Sequence, residues 1–140
     1  MTLHLRVRLL KTFSILYLIG PGLLMVLAEL LPVMGAVSAF LDLAYWPYDG
    51  AQVVAGDVAT LFNAILGGVL IGFGVLIHEV GSKVYAKDEP LGRRILLTGL
   101  FAWYLTDSFA SAVTGAPFNA VMNTFFAGCF IVTLLWPART

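Results

Sequence analysis

Residues 58–80 read VATLFNAILGGVLIGFGVLIHEV, an apolar run whose one charged residue is Glu79, near its end. A helix that crosses the hydrocarbon core of a bilayer needs about 20 mostly apolar residues, at a rise of about 1.5 Å per residue. The stretch meets this requirement. It therefore predicts a transmembrane helix, and the rest of the chain can be compared with it.

The composition agrees with a membrane protein. Of the 140 residues 60% are hydrophobic and 11% are charged, and the mean hydropathy is +0.94. Soluble domains contain about 45–50% apolar and about 25% charged residues, so this composition excludes a soluble globule. Eight Lys and Arg residues balance eight Asp and Glu residues, so no nucleic-acid partner is predicted. The single cysteine, Cys129, excludes an intrachain disulfide framework and a cysteine-rich metal site.

Three further apolar stretches complete a predicted all-α, four-helix transmembrane bundle in one domain, residues 1–140. The spans are expected at about 12–32, 58–80, 94–113 and 118–136. The first is interrupted by Gly20-Pro21-Gly22, which predicts a kink. Its basic start resembles a secretory signal, but the apolar stretch is longer than a signal core and contains Glu29. We therefore interpret it as a retained first helix.

Basic residues predict the orientation. In a four-span layout all of them fall on one side, and the connections on the other side contain Asp42, Asp49 and Asp57 but no Lys or Arg. The positive-inside rule then places both termini in the cytoplasm, and we expect a multi-pass protein of the cell inner membrane. The basic residues are Arg6, Arg8, Lys11, Lys83, Lys87, Arg93, Arg94 and Arg139.

The connection between the first two spans is expected to form a short segment in the outer membrane interface. Residues 35–43 predict a short helix or hairpin arm, and Tyr45, Trp46 and Tyr48 follow it. Tyr and Trp prefer the headgroup layer. An ordinary membrane anchor is the favoured interpretation, and a lid over a site is the alternative.

Small residues on the second span predict close helix packing. Ala64, Gly68 and Gly72 recur every four residues, a spacing that lets helix backbones approach in lipid. We favour packing within the bundle. The alternative is a homo-oligomer or a membrane-protein partner held through the same stripe. Gly67 and Gly74 lie on a neighbouring face, which predicts a helix packed on two sides.

Polar residues inside the spans predict a site in the outer half of the bundle. Counted from the outer span ends, Asn63, Asp107 and Asn123 lie roughly 9 Å deep and Glu29 about 5 Å deep. Ser108 extends the polar face beside Asp107. Because four helices bring polar groups to similar depth, we predict that Glu29, Asn63, Asp107, Ser108 and Asn123 form a ligand-binding pocket.

Two interpretations of this polar set remain open. It is either a hydrogen-bond network that selects which helices pair, or a pocket. The favoured function is a non-enzymatic accessory or ligand-binding bundle that receives a lipid headgroup, a quinone-like amphiphile or a partner's polar group. One alternative is a small oligomeric transporter or channel in which Glu29 or Asp107 titrates. Another is a membrane enzyme for a lipophilic substrate, with Asp107 as acid and base.

No cofactor and no metal are predicted. The two histidines are His78 at the inner span end and His4 before the first helix, so two spans cannot supply a bis-histidine haem site. His78 and Asp107 belong to opposite leaflets, which excludes a Ser-His-Asp set. Membrane lipids are expected partners, because the inner basic residues attract anionic headgroups.

The arrangement of glycines resembles a known group. Residues 63–68 (NAILGG) with Gly72 and Gly74, residues 90–94 (PLGRR) and residues 115–117 (GAP) are similar to small bacterial four-span proteins related to the DoxX-like membrane proteins. The likeness covers about residues 55–136. It implies a four-helix bundle in a bacterial inner membrane and no catalytic residue. Relatives often carry a basic residue late in the third helix, where this chain has Asp107-Ser108.

Overall fold

The computed structural model describes residues 1–28, 30–31 and 33–137. Every regular element in these residues is helical. Four helical stretches are long and apolar enough to cross a membrane, which fits a multi-pass membrane protein and confirms the predicted all-α, four-helix bundle. The elements are α1 (Leu3–Ser14), a first π turn (Ile15–Ile19), α2 (Gly20–Leu27), α3 (Met34–Tyr45), α4 (Asp57–Glu79), a second π turn (Val80–Tyr85), α5 (Glu89–Val113) and α6 (Pro117–Leu135).

The two ends of the bundle are defined by contacts between distant residues. The Met1 amino group donates a hydrogen bond to the Pro137 carbonyl oxygen at 3.0 Å, so the first and the last described residues lie together. Arg6 pairs with Glu89, which brings the α4–α5 connection to the same end. We call this the basic end. We call the opposite end, which contains Asp42, Asp49 and Asp57, the acidic end. There Trp46 stacks on Phe118 with ring centroids 5.4 Å apart.

Two helices extend beyond the predicted spans, in both cases through charged residues. The helix that contains the first predicted span begins at Leu3, before the span start expected near residue 12, and the Thr2 hydroxyl oxygen caps it by accepting from the Leu5 N–H at 3.3 Å. The connection between the second and third predicted spans is mostly helical, because the second π turn continues α4 and Asp88 caps α5. Charged residues lower local hydropathy without stopping a helix that is capped and packed. The predicted short helix near 35–43 is confirmed as α3.

A widened helical turn, the first π turn, directly precedes Gly20-Pro21-Gly22, where the sequence predicts an interruption. The Gly20 N–H donates to the Ile15 carbonyl oxygen, five residues back, as in a π turn. Pro21 has no N–H to donate, so it also interrupts the α-helical hydrogen-bond pattern. This second interruption lies directly after the π turn. Such turns are a known cause of bends in long helices.

α2 and α4 cross with their backbones in contact. A Cβ atom added to Gly22 would lie 2.6 Å from the Gly67 carbonyl oxygen, and one added to Gly67 would lie 2.7 Å from the Gly22 carbonyl oxygen. Gly74 meets Ile19 and Leu18 of the first π turn equally closely. By contrast, a Cβ atom on Gly68 or Gly72 would meet nothing within 4 Å.

The favoured packing role of the Ala64, Gly68 and Gly72 stripe is therefore wrong. Packing within the described chain uses the neighbouring face, with Gly67 and Gly74. The hydrophobic core lies mostly towards the basic half, where α1, α4, α5 and α6 converge on the buried residues Leu10, Leu18, Ile77, Tyr85, Leu96, Leu100, Phe130 and Leu134. The acidic half is held largely by two helix pairs, α2 with α4 and α5 with α6.

Candidate functional site

Three of the five predicted site residues lie together between α5 and α6. The Asn123 side-chain amide donates to Asp107 Oδ2 at 2.8 Å and to Ser108 Oγ at 3.3 Å. Asn123 is buried, with 4% of its surface exposed, and Asp107 and Ser108 are half-buried. The two helices are thus joined by hydrogen bonds between residues that the sequence predicted to share one site.

This cluster is the middle of a longer polar row. On the side of the acidic end, the Asn119 amide donates to Ser111 Oγ at 2.8 Å. On the other side, the Tyr104 hydroxyl lies 2.9 Å from Thr124 Oγ1. Residues three or four apart share one face of a helix, which aligns the row with both helix axes. We define the polar seam as Tyr104, Asp107, Ser108, Ser111, Asn119, Asn123 and Thr124.

The polar seam opens on the flank of the bundle. Large apolar side chains beside it are exposed, including Leu105, Phe109 and Phe125, with 62%, 70% and 61% of their surfaces accessible. Among the hydrogen bonds of the described residues, the Asp107 carboxylate accepts one, at Oδ2. An ionised carboxylate has about four acceptor positions, so Asp107 keeps capacity for further donors. A ligand would reach it sideways, from within the membrane.

Asn63, another of the predicted residues, does not extend this group. The Asn63 amide donates to the Met25 carbonyl oxygen at 2.9 Å, across the α2–α4 interface. Met25 lies in the last turn of α2, where carbonyl groups lack donors within the helix. Asn63 therefore closes a helix end, and no hydrogen bond of the described residues connects it to Asp107. Glu29 lies outside the described residues.

A buried cation at the basic end was not anticipated. Arg6 is fully buried, and its guanidinium donates to both carboxylate oxygens of Glu89, at 2.7 and 2.8 Å, and to the Tyr85 hydroxyl at 2.8 Å. Arg93 pairs with the same carboxylate. We call Arg6, Tyr85, Glu89 and Arg93 the basic clamp. It joins the first span to the third and to the end of the second.

Glycine allows the basic clamp to close. A Cβ atom on Gly92 would lie 2.4 Å from the Tyr85 Cα atom, so α5 touches the backbone of the second π turn at this residue. No local pattern in the sequence reports the clamp, because Arg6 and Glu89 are separated by 83 positions. The one available signal is Gly92, a glycine in the first turn of α5, which was interpreted only as part of a family resemblance.

At the acidic end, Asp42 organises the loop that follows α3. Its buried carboxylate accepts from the Gly50 N–H at 2.9 Å and from the Gln52 N–H at 3.3 Å. The Gly50 bond, aided by that of Gln52, holds the pKa of Asp42 below its usual value, although burial acts in the opposite direction. Ser38 adds a third bond by accepting from the Val54 N–H at 3.0 Å. The loop is thus tied down on α3 by side chains.

The remaining titratable candidates do not assemble a metal site. His78 is half-buried, and its Nδ1 atom lies 3.5 Å from Ser14 Oγ, at the limit of hydrogen bonding. Within residues 1–28, 30–31 and 33–137, no cluster of three His, Cys, Asp or Glu side chains could hold a metal ion.

Comparisons with protein-family models, with curated proteins and with solved structures give no match to this chain. The resemblance to DoxX-like proteins stays a prediction, and no residue role is taken from it. The chemistry of the site therefore has to be argued from its own geometry.

Proposed function

We propose that this membrane protein is a non-enzymatic accessory bundle that holds a transmembrane helix of a partner protein against the polar seam. The observation that carries the proposal is the half-buried Asp107 carboxylate, which lies between exposed apolar side chains and accepts one hydrogen bond from the part of the chain that the structure describes. Ionisable groups in hydrocarbon normally face a partner, a cavity or water. A donor on a neighbouring helix would complete the coordination of Asp107.

The length and direction of the polar seam favour a helix as the ligand. From Tyr104 to Ser111 the row extends over about 10 Å along α5, or about two helical turns. A second helix lying along the α5–α6 groove would present polar side chains at the same spacing of three or four residues. The open flank admits such a helix from the side. A lipid headgroup or an amphiphile would contact one position of the row.

We also propose the orientation that the positive-inside rule predicts, with the basic end in the cytoplasm and the polar seam in the outer half of a bacterial inner membrane. A second contact is proposed for the stripe of Ala64, Gly68 and Gly72, in which the described bundle leaves both glycines uncovered and Ala64 half-buried. Small residues there would let a helix of the partner, or of a second copy, approach α4 closely.

The test is photo-crosslinking from Phe109, next to the polar seam, in native membranes. We expect one specific membrane protein to be crosslinked, and we expect Asp107→Asn to reduce that product about tenfold, because hydrogen bonds to a charged group contribute about 1.5–3 kcal/mol. Thr106→Val is the matched control, since the exposed Thr106 hydroxyl donates to its own helix at Ala102. This variant should keep the product.

The other outcomes discriminate among functions. If crosslinking gives a small lipophilic adduct that depends on Asp107, the ligand of the polar seam is an amphiphile and not a partner helix. A protein product that survives Asp107→Asn unchanged would show that the polar seam does not recognise the partner, and the proposal would be abandoned.

A further inference from the structure

The cations of the basic end form two classes. Arg6 and Arg93 share Glu89, and Lys83 pairs with Glu79. Arg8 and Lys11, on the other side of α1, form no ion pair with any residue that the structure describes. The fully buried Arg6 is thus neutralised within the bundle, whereas the charges of Arg8 and Lys11 are not paired by any described residue.

Arg8 and Lys11 line one groove. It is an open surface groove of about 410 Å³ along one face of α1, and none of the described residues that line it is acidic. Arg8 Nη2 lies 3.3 Å from His4 Nε2, so the two side chains converge on the same space. The lining residues are His4, Val7, Arg8, Lys11, Thr12 and Ile15.

The order of these residues along α1 follows the polarity of a phospholipid. From His4 to Lys11, over about 10 Å, the lining consists of three cationic or polar residues and Val7, and after Thr12 it becomes apolar at Ile15. Ile15 and the adjacent Leu16 are exposed, with 47% and 58% of their surfaces accessible. The polar part therefore lies at the helix end, where headgroups are found, and the apolar part continues into the span.

We propose that this groove binds the phosphate headgroup of an anionic phospholipid, with an acyl chain along Ile15 and Leu16. Arg8 can form paired hydrogen bonds to a phosphate, and Lys11 adds a second positive charge. Because all lining residues belong to α1, the lipid itself would form the outer wall. The site is independent of the polar seam and of any partner helix.

The experiment compares two double variants that remove the same charge. Delipidated protein is mixed with phosphatidylglycerol, and bound lipid is counted by native mass spectrometry. We expect Arg8→Gln with Lys11→Gln to weaken binding about 30-fold, since each cation near the membrane contributes about fivefold. Lys87→Gln with Arg94→Gln, outside the groove, should weaken it at most about threefold. Equal losses in both variants would mean diffuse attraction without a site and would overturn the proposal.

Three further arms test the shape of the site and the identity of its ligand. Thr12→Trp keeps every charge but fills the groove, so binding should also fall; unchanged binding would contradict a groove. Phosphatidylcholine, which has a phosphate but no net charge, should bind weakly. Inorganic phosphate in excess should not displace phosphatidylglycerol, and displacement would assign the groove to a free anion instead of a lipid.

Discussion

Arg6 shows how a single side chain can determine the packing of a small bundle. A guanidinium without solvent is stable only when charged and polar partners surround it. Here Glu89 accepts two of its hydrogen bonds and Tyr85 a third, and the guanidinium carbon lies 5.6 Å from the centre of the Tyr85 ring. Removal of one partner leaves a buried charge uncompensated, which is more damaging than loss of an exposed pair.

We therefore predict that Glu89→Ala lowers the free energy of unfolding by about 3 kcal/mol, because it breaks a buried pair. Glu79→Ala is the control. Glu79 also forms an ion pair, with Lys83, but that pair is largely exposed. Its loss should change stability by at most about 0.5 kcal/mol. Unfolding in mixed micelles, followed by tryptophan fluorescence, measures both. Similar effects of the two variants would show that the basic clamp does not stabilise the fold.

Asp42 gives a prediction of pH dependence. Since the folded state holds the pKa of Asp42 below its usual value, the ionised carboxylate stabilises the loop fully above pH of about 4, the ordinary aspartate range. That contribution is lost as the pH falls towards the lowered pKa. Exchange of the Gly50 and Gln52 amide hydrogens should accelerate below this range relative to unprotected amides at the same pH. In Asp42→Asn it should already be fast at neutral pH, and slow exchange there would contradict the capping role.

The sequence predicted at which end of the bundle the charged residues lie, but not which of their side chains are buried. The sequence placed Arg6 correctly among the basic residues of one side, since that inference needs only counting. The pairing with Glu89 could not be predicted, because it depends on how α1 and α5 approach each other. The same holds for Asn63, whose depth was predictable but whose acceptor on α2 was not.

At the scale of the element, α4 has two glycine-containing faces with different environments. Gly67 faces the backbone of α2, whereas Gly68, one residue on, meets nothing within 4 Å. Hydropathy predicts both faces to be suited to close packing, because they contain the same residue types at helical spacing. Which of the two faces packs against α2 depends on Gly22, the residue of α2 that lies at the crossing. The packed face is therefore determined by tertiary structure.

This contrast predicts opposite results for neighbouring substitutions. Gly67→Val should lower the free energy of unfolding by about 2–3 kcal/mol, since a backbone carbonyl occupies the space that the side chain needs. Gly68→Val should leave the monomer's stability within about 0.5 kcal/mol of the original. Thermal unfolding in detergent compares them. If Gly68→Val were the more damaging variant, the assignment of the packed face would be reversed.

At the scale of the whole molecule, the topology follows from where the ends meet. Met1, Pro137 and the α4–α5 connection lie at the basic end, as an even number of spans requires. The sequence predicted this arrangement because charge asymmetry and hydropathy are sums over many residues, which do not depend on where each helix begins.

The orientation in the membrane can be tested with single cysteines. In a Cys129→Ser background, cysteine is introduced at Asp49 or at Lys87, both exposed at opposite ends of the bundle. If the basic end is cytoplasmic, a membrane-impermeant maleimide added to spheroplasts should label position 49 only, and position 87 should react after lysis. Labelling of 87 in intact spheroplasts would invert the proposed orientation.

The basic clamp also bears on how the molecule is made. Glu89 leaves the ribosome 83 residues after Arg6, so during synthesis the first hydrophobic segment exists for some time without its counter-ion. During that interval the guanidinium has to stay in water or among headgroups, since hydrocarbon does not accept it unpaired. The N-terminal segment can therefore pack with Arg6 buried only after the start of the third helix has been synthesised. A nascent chain arrested before residue 89 should leave Arg6 open to proteases and solvent.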